Sequence, residues 1–239
     1  MPTSDTNNDK SNHTGVAAVD RAFLIVNAVA SSEVPISLAD LSRETGLYKS
    51  TLLRLIASLE KTSLVIRRHD GRYLLGPYAH KLGRAYQTTF QLTDTLQPLL
   101  EEAVAMGSES SSFHVYNDTD TRMCLLRIDS NHSTLDSINV GDLLPLVHGA
   151  AGRLIRRFQG GNTAPSLENV FELSMGERDP DCAAVACAVF GVNNEFIGAI
   201  SLSGPKERFT PEAIASLETM VRQISQRASE QLGARWPTA

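Results

Sequence analysis

Lys49, Ser50, Thr51, Leu53 and Arg54 occupy one short stretch of the chain, and their side chains suit a nucleic-acid duplex. Ammonium and hydroxyl groups donate to phosphate oxygens, a guanidinium forks onto the edge of guanine, and an aliphatic side chain packs on a thymine methyl. A second basic group, Arg67, Arg68 and Arg72, brackets Asp70-Gly71, where it can reach the phosphate backbone or the minor groove. Different chemistry lies further along. Gly149, Ala150, Ala151 and Gly152 have little or no side chain, so their backbone N–H groups are open to an incoming anion. Ser201 and Ser203 share one face of a strand, and both can donate to a carboxylate. Two other readings stay open: small residues at a helix start also permit close packing, and the serines can bond a neighbouring strand.

Elements must hold these groups in place. Ser37, with Asp40 three positions on, is a capping pair for a helix start. Leu38 and Leu41 give that helix its apolar stripe, and Gly46 is a left-handed stop that ends it by about Thr45. Leu52, Leu55, Ile56 and Leu59 fall at helical spacing, so a second helix turns them to a core and presents Tyr48, Lys49, Ser50, Thr51, Leu53 and Arg54 outward. Upstream, Val19, Phe23, Val26 and Ala30 are in register for a helix over Val16 to Ala30. Downstream, Asp70-Gly71 between two apolar runs signals a hairpin. Three helices followed by a basic hairpin make a winged helix-turn-helix. From Gly15 to Ala85 ten basic residues stand against six acidic ones, a net +4 in a chain whose total is −5. Phosphate neutralisation needs that local field and not a high overall isoelectric point.

The whole chain of 239 residues, 42% hydrophobic and 21% charged, is ordinary globular material with room for two domains. No apolar run approaches the roughly 20 residues of a membrane span, and the polar N-terminus lacks a signal-peptide core, so a cytoplasmic protein without a membrane partner is expected. Cys124, Cys182 and Cys187 sit in apolar runs with no ligand spacing to histidine, which predicts buried thiols, no metal and no cofactor. Tyr78 to Gln87 reads as a linker helix, and Asp94 to Met106 as a helix that tolerates Pro98 only in its first turn. Strands are predicted at Phe113 to Tyr116, Met123 to Ile128, Ala183 to Phe190 and Phe196 to Ser203. A helix is predicted at His148 to Phe158, and a long one starts at Thr210-Pro211. The second part is therefore an α+β domain of sensor type.

From Val16 to about Gln231 the chain resembles the IclR family of bacterial transcriptional regulators. Three blocks carry the resemblance: SLADLSRETGLYKSTLLRLIASLEKTSLV with DGRYLLG, then PLVHGAAGR at Pro145 to Arg153, then GERDPDCAAVACAVFGVNNEFIGAISLSGPKERFT at Gly176 to Thr210. The resemblance implies an α+β chain with a winged helix-turn-helix at 15–76, a linker helix at 77–90 and a GAF-like α/β effector-binding domain at 91–232. A disordered tail at 1–14 and a tail at 233–239 complete the expected division. The implied function is a ligand-responsive regulator, repressor or activator, and not an enzyme. Its implied partners are a palindromic operator in double-stranded DNA, a small carboxylic or aromatic acid, and further copies of itself in a homodimer or tetramer. DNA contacts are expected from Lys49, Ser50, Thr51, Leu53, Arg54, Arg68 and Arg72. The family's pocket maps onto backbone at Ala150 and Ala151, side chains at Ser201 and Ser203, and lining positions near Leu125, Cys182 and Ala184, with His148 and Gly149 beside them.

The chain also departs from the family pattern. Histidine stands one position later than in the family's Pro-Leu-His-Ala-Thr-Ala, so His148 either points into the pocket or caps the helix. Arg153 replaces a common lysine. The segment between Arg153 and Gly176 is shorter than in many members, without room for an extra helix and strand-like stretch, which implies a smaller lid. Tyr48 replaces a frequent proline and Leu53 a frequent polar residue, so the operator sequence does not carry over. Two other function classes compete. An enzyme would use Cys187 or His148 as nucleophile or base, yet no Ser/His/Asp or Cys/His set with an orienting partner can be assembled. The other is an interaction module with a degenerate DNA domain.

Overall fold

The computed structural model of the protein describes residues 15–90, 92–131 and 138–238. The tail expected at 1–14 lies outside the described residues. The chain forms two compact units, residues 1–89 and 90–239.

In the first unit the helices are α1 (Ala17–Ala30), α2 (Leu38–Thr45) and α3 (Lys49–Lys61), followed by the antiparallel pair β1 (Val65–Arg67) and β2 (Tyr73–Leu75) and then α4 (Pro77–Phe90). Ser37 caps α2 by accepting from the Asp40 N–H at 3.2 Å, and Gly46 ends it at φ 68°. Leu41, Leu52, Ile56, Val65 and Tyr73 form the core, and Ile36 exchanges backbone hydrogen bonds with Tyr73. The face of α1 differs from the expected one. Ile25 and Val29 are buried, whereas Val19 and Phe23 are exposed, Phe23 at 59%. Apolar residues run around most of α1, so periodicity alone offered more than one stripe.

The second unit is one six-stranded antiparallel sheet with helices on both faces. Its elements are α5 (Leu92–Ala105), β3 (Ser110–Tyr116), β4 (Thr121–Asp129), β5 (Leu143–Pro145), α6 (Ala150–Phe158), β6 (Phe171–Met175), β7 (Cys182–Phe190), β8 (Phe196–Pro205) and α7 (Pro211–Gln231). The strand order is β5-β4-β3-β8-β7-β6. Side-chain alternation along β7 sorts the layers. Cys187 faces Ser225 of α7, while Ala184 faces the side where α6 packs. The run of small residues in β7 and the Ala150-Ala151-Gly152 start of α6 let that helix approach closely. A Cβ on Gly152 would lie 2.5 Å from the Leu146 carbonyl oxygen.

Several expectations are corrected here. Pro98 sits inside α5 and not in its first turn, because the stripe Leu92, Leu96, Leu99, Leu100 and Ala103 starts the helix earlier. The stretch between Arg153 and Gly176 does hold a strand, β6, paired along one edge with β7. α6 begins at Ala150, two residues after His148. Residues 233–236 are not a free tail: Ala234 is buried, its N–H donates to the Ser229 carbonyl, and Trp236 packs on the core. Among the described residues no helix is long and apolar enough to cross a membrane, and no group of three or more His, Cys, Asp or Glu could hold a metal ion. All three cysteines are buried.

Candidate functional site

Two surfaces gather the polar groups singled out above, one in each unit. In the first unit, α3 starts at Lys49 behind Tyr48, with no side-chain cap and no acid in its first turn. Its first N–H groups and their partial positive charge are therefore left to solvent or a ligand. Lys49, Ser50, Leu53 and Arg54 are exposed, Thr51 is half-buried, and neither Lys49 nor Arg54 has an ion-pair partner among the described residues. Tyr48 stands beside them at 84% exposure. The stripe Leu52 and Ile56 anchors the opposite side of the helix at almost no exposure, so the outward set is held on a rigid element.

The wing arginines are more committed. Arg68 comes within 3.8 Å of Asp70. One Arg72 nitrogen donates to the Pro35 carbonyl at 3.2 Å, tying the wing to the loop before α2. Arg67 lies over the Tyr73 ring at 5.8 Å. All three remain exposed, so a phosphate can still reach their outer donors.

In the second unit, α6 also begins without a side-chain cap, behind Gly149 at φ 83°. That left-handed conformation favours glycine. The start of α6 borders a cavity of ≈ 40 Å³, whose lining includes Gly149, Ala150, Ala151, Cys182, Ala184, Ser201 and Ser203. Ser203 Oγ is 2.8 Å from Ser110 Oγ, across the β3–β8 ladder, and Ser201 is directly opposite Ser112. The strand-bonding alternative for the serines thus holds for Ser203, which both bonds β3 and lines the cavity.

Two expected residues are not brought to the cavity. Leu125 is the extra residue of a β-bulge, since Phe113 pairs with Leu126 while His114 pairs with Cys124. It packs against the main core instead of the cavity. His148 is exposed and outside the lining, and only its backbone carbonyl takes part, accepting from Arg122 at 3.1 Å. The helix starts after Gly149, too late for His148 to be carried inward.

Three groups that the sequence reading passed over stand out. Arg122 on β4 is buried and donates to the carbonyls of Pro145 and His148, so it clamps the turn that delivers the start of α6. His114 and Ser112 line the cavity from β3, with Ser112 Oγ 2.9 Å from His114 Nε2. Burial holds the His114 pKa well below its ordinary value, and Arg122, Arg127 and Arg178 lower it further. That imidazole reports a positive field, the kind that attracts an anion. One signal was present: Ser110, Ser112 and His114 are polar at strand alternation, mirroring Ser201 and Ser203.

Outside the cavity Glu177 accepts from the Gly149 N–H at 3.2 Å and pairs with Arg153, which also bonds Glu172 at 2.8 Å. These contacts join the Gly176 loop to α6. Neither residue considered as an enzymatic group is equipped for that role. Burial pushes the Cys187 thiol up to about 12, far from a reactive thiolate, and His148 sits away from it in solvent.

Comparison with known proteins follows the same division. Residues 18–69 match the model of the IclR helix-turn-helix domain, and residues 168–230 match that of the bacterial transcriptional regulator IclR C-terminal domain. The chain is 26% identical to a glycerol operon regulatory protein of Streptomyces griseus, over 92% of this chain and 97% of that protein. It is 21% identical to the transcriptional repressor IclR of Escherichia coli K12, over 86% of each. A crystal structure of an IclR homolog from Microbacterium hydrocarbonoxydans, complexed with 4-hydroxybenzoate, shares the fold at a TM-score of 0.73 and 14% identity, over 90% of this chain and 100% of that one.

Proposed function

The chain belongs to the IclR family, as a transcriptional regulator with a helix-turn-helix DNA-binding domain and a C-terminal effector domain and not an enzyme, and we propose that it reads a palindromic operator and releases or grips it in response to a small organic acid. Lys49, Ser50 and Thr51 hold phosphate at the open start of α3, Arg54 reads a guanine edge, and Leu53 with the exposed Tyr48 shapes the rest of the contact. Arg68 and Arg72 steady the wing on the backbone. Two copies in a homodimer, or four in a tetramer, present paired half-sites. Residues 77–90 serve as the linker through which the acid alters half-site spacing, a shift of population between two spacings.

The observation that carries the effector reading is the buried, uncapped start of α6 in a cavity shared with Ser201 and Ser203 and bordered by Arg122. Ala150 and Ala151 offer backbone N–H groups, the serines offer hydroxyls, and the surrounding arginines favour a negative charge. The 4-hydroxybenzoate complex of the Microbacterium relative supports an acid as the class of ligand. A cavity of ≈ 40 Å³ favours a compact one.

A gel-shift titration against the promoter beside the coding region tests the reading, with the full chain and with Ser201→Ala combined with Ser203→Ala. A sensed acid should change operator affinity about 5- to 150-fold, the range of ordinary coupling energies, and the double variant should lose that response. An unchanged response would refute the pocket, and no binding that depends on Arg54 would refute the operator reading.

A further inference from the structure

The effector reading gives no task to the imidazole of His114. The His114 side chain lines the cavity at 2% exposure, and its Nδ1 has no hydrogen-bond partner. A polar atom buried without a partner loses its hydration and gains nothing in return, so such an atom in a ligand cavity points to a ligand that pairs it. The opposite nitrogen, Nε2, is 2.9 Å from Ser112 Oγ, which fixes the ring plane. Ser112 in turn lies directly opposite Ser201. The open imidazole nitrogen and the serines therefore border the same small space.

Charge state narrows what that nitrogen can meet. Burial, then the fields of Arg122, Arg127 and Arg178, hold the ring neutral near pH 7. A neutral imidazole has one donor and one acceptor, and the Ser112 hydroxyl takes either role at Nε2. Nδ1 is accordingly an acceptor or a donor. A hydroxyl on the ligand satisfies both cases, whereas a carbonyl or a second carboxylate satisfies only the donor. The cavity holds the space of about three water molecules, so the hydroxyl must lie close to the acid group.

Resting on the effector reading above, we propose that the acid sensed is a compact hydroxy acid, its carboxylate at the start of α6 with Ser201 and Ser203 and its hydroxyl paired with His114 Nδ1. Ser112 is the positioning residue that orients the ring.

Calorimetric titration of the full chain with matched pairs tests this: glycolate against acetate, and lactate against propionate, each differing by one hydroxyl. Each hydroxy acid should bind at least tenfold tighter than its partner. Pairs that bind within twofold would overturn the hydroxyl assignment while leaving the acid site standing. No heat and no thermal shift from any of the four would overturn the acid reading and this inference with it. His114→Leu should bring each pair to within threefold, and His114→Gln, which keeps a donor and an acceptor, should restore part of the preference; a full preference in both variants would refute the role of the imidazole. Should His114→Leu fail to fold, Ser112→Ala decides, because a loosened ring should cut the preference at least threefold and an unchanged preference would refute the proposal.

Discussion

The start of α3 and the start of α6 are one backbone device in opposite surroundings. Neither has a side-chain cap or an acid in its first turn, whereas α2 and α7 are closed by Ser37 and Thr210. An uncapped start leaves several N–H donors and a partial positive charge unspent, reduced at α6 by Glu177, whose carboxylate accepts from the Gly149 N–H. At α3 that charge is exposed beside Lys49, Ser50 and Arg54; at α6 it is buried among Gly149, Ala150 and Ala151 near Arg122. In water each such attraction is weak and screened within about 10 Å, so it becomes useful against a polyanion that repeats the contact. Out of water one anion suffices, because the same charge acts through a lower dielectric. Burial, more than sequence chemistry, separates a surface suited to DNA from the pocket we propose for one small acid.

The largest expected break in this comparison is Arg122→Met. It removes the donor held by the Pro145 and His148 carbonyls, so the start of α6 loses its support; urea unfolding should show a loss of about 3 kcal/mol, together with lost acid binding. Retention of both would make the arginine incidental. Next is Arg54→Ala, expected to weaken operator binding by about 2 kcal/mol with little change on unrelated DNA. An equal loss on both DNAs would turn it into a phosphate contact.

A third test uses pH. The His114 pKa is lowered in the folded chain, so between the folded value and the unfolded value near 6.5 the unfolded chain binds more protons. Stability is then complete above pH 6.5 and declines as pH falls below it, by at most about 1.4 kcal/mol per pH unit. Thermal unfolding of His114→Gln should flatten the decline, and an undiminished slope would assign it elsewhere. The smallest effect is at Ser37→Ala, which opens the α2 start as α3 is open already. About 1 kcal/mol of stability should go, visible as a lower melting temperature without a change in acid affinity.

Much of the first unit was legible because its signals are local. Ser37, Asp40 and Gly46 mark both ends of α2, and Leu52 to Leu59 set the inward face of α3 within a few turns. The face of α1 was not legible, since Val19, Phe23, Ile25 and Val29 permit more than one stripe and tertiary packing chose Ile25 and Val29. In the cavity, Gly149 to Ala151 and the pair Ser201 and Ser203 could be read from short-range pattern. His114 and Arg122 could not, because their roles depend on strand register: Ser112 opposite Ser201, and β4 against β5 near Pro145. The bulge that re-aims Leu125 depends on the same pairing. The strands β5 and β6 are short and lie at the two sheet edges, where alternation has few residues in which to show.

The most direct measurement is an anisotropy titration of the operator by the full chain, repeated across salt concentration with and without saturating glycolate. Operator affinity should fall steeply and linearly in the logarithm of salt, and glycolate should displace the whole line by about fivefold or more while its slope stays the same. A line that glycolate leaves unmoved, for glycolate that calorimetry shows bound, would contradict the coupling of the two anion sites.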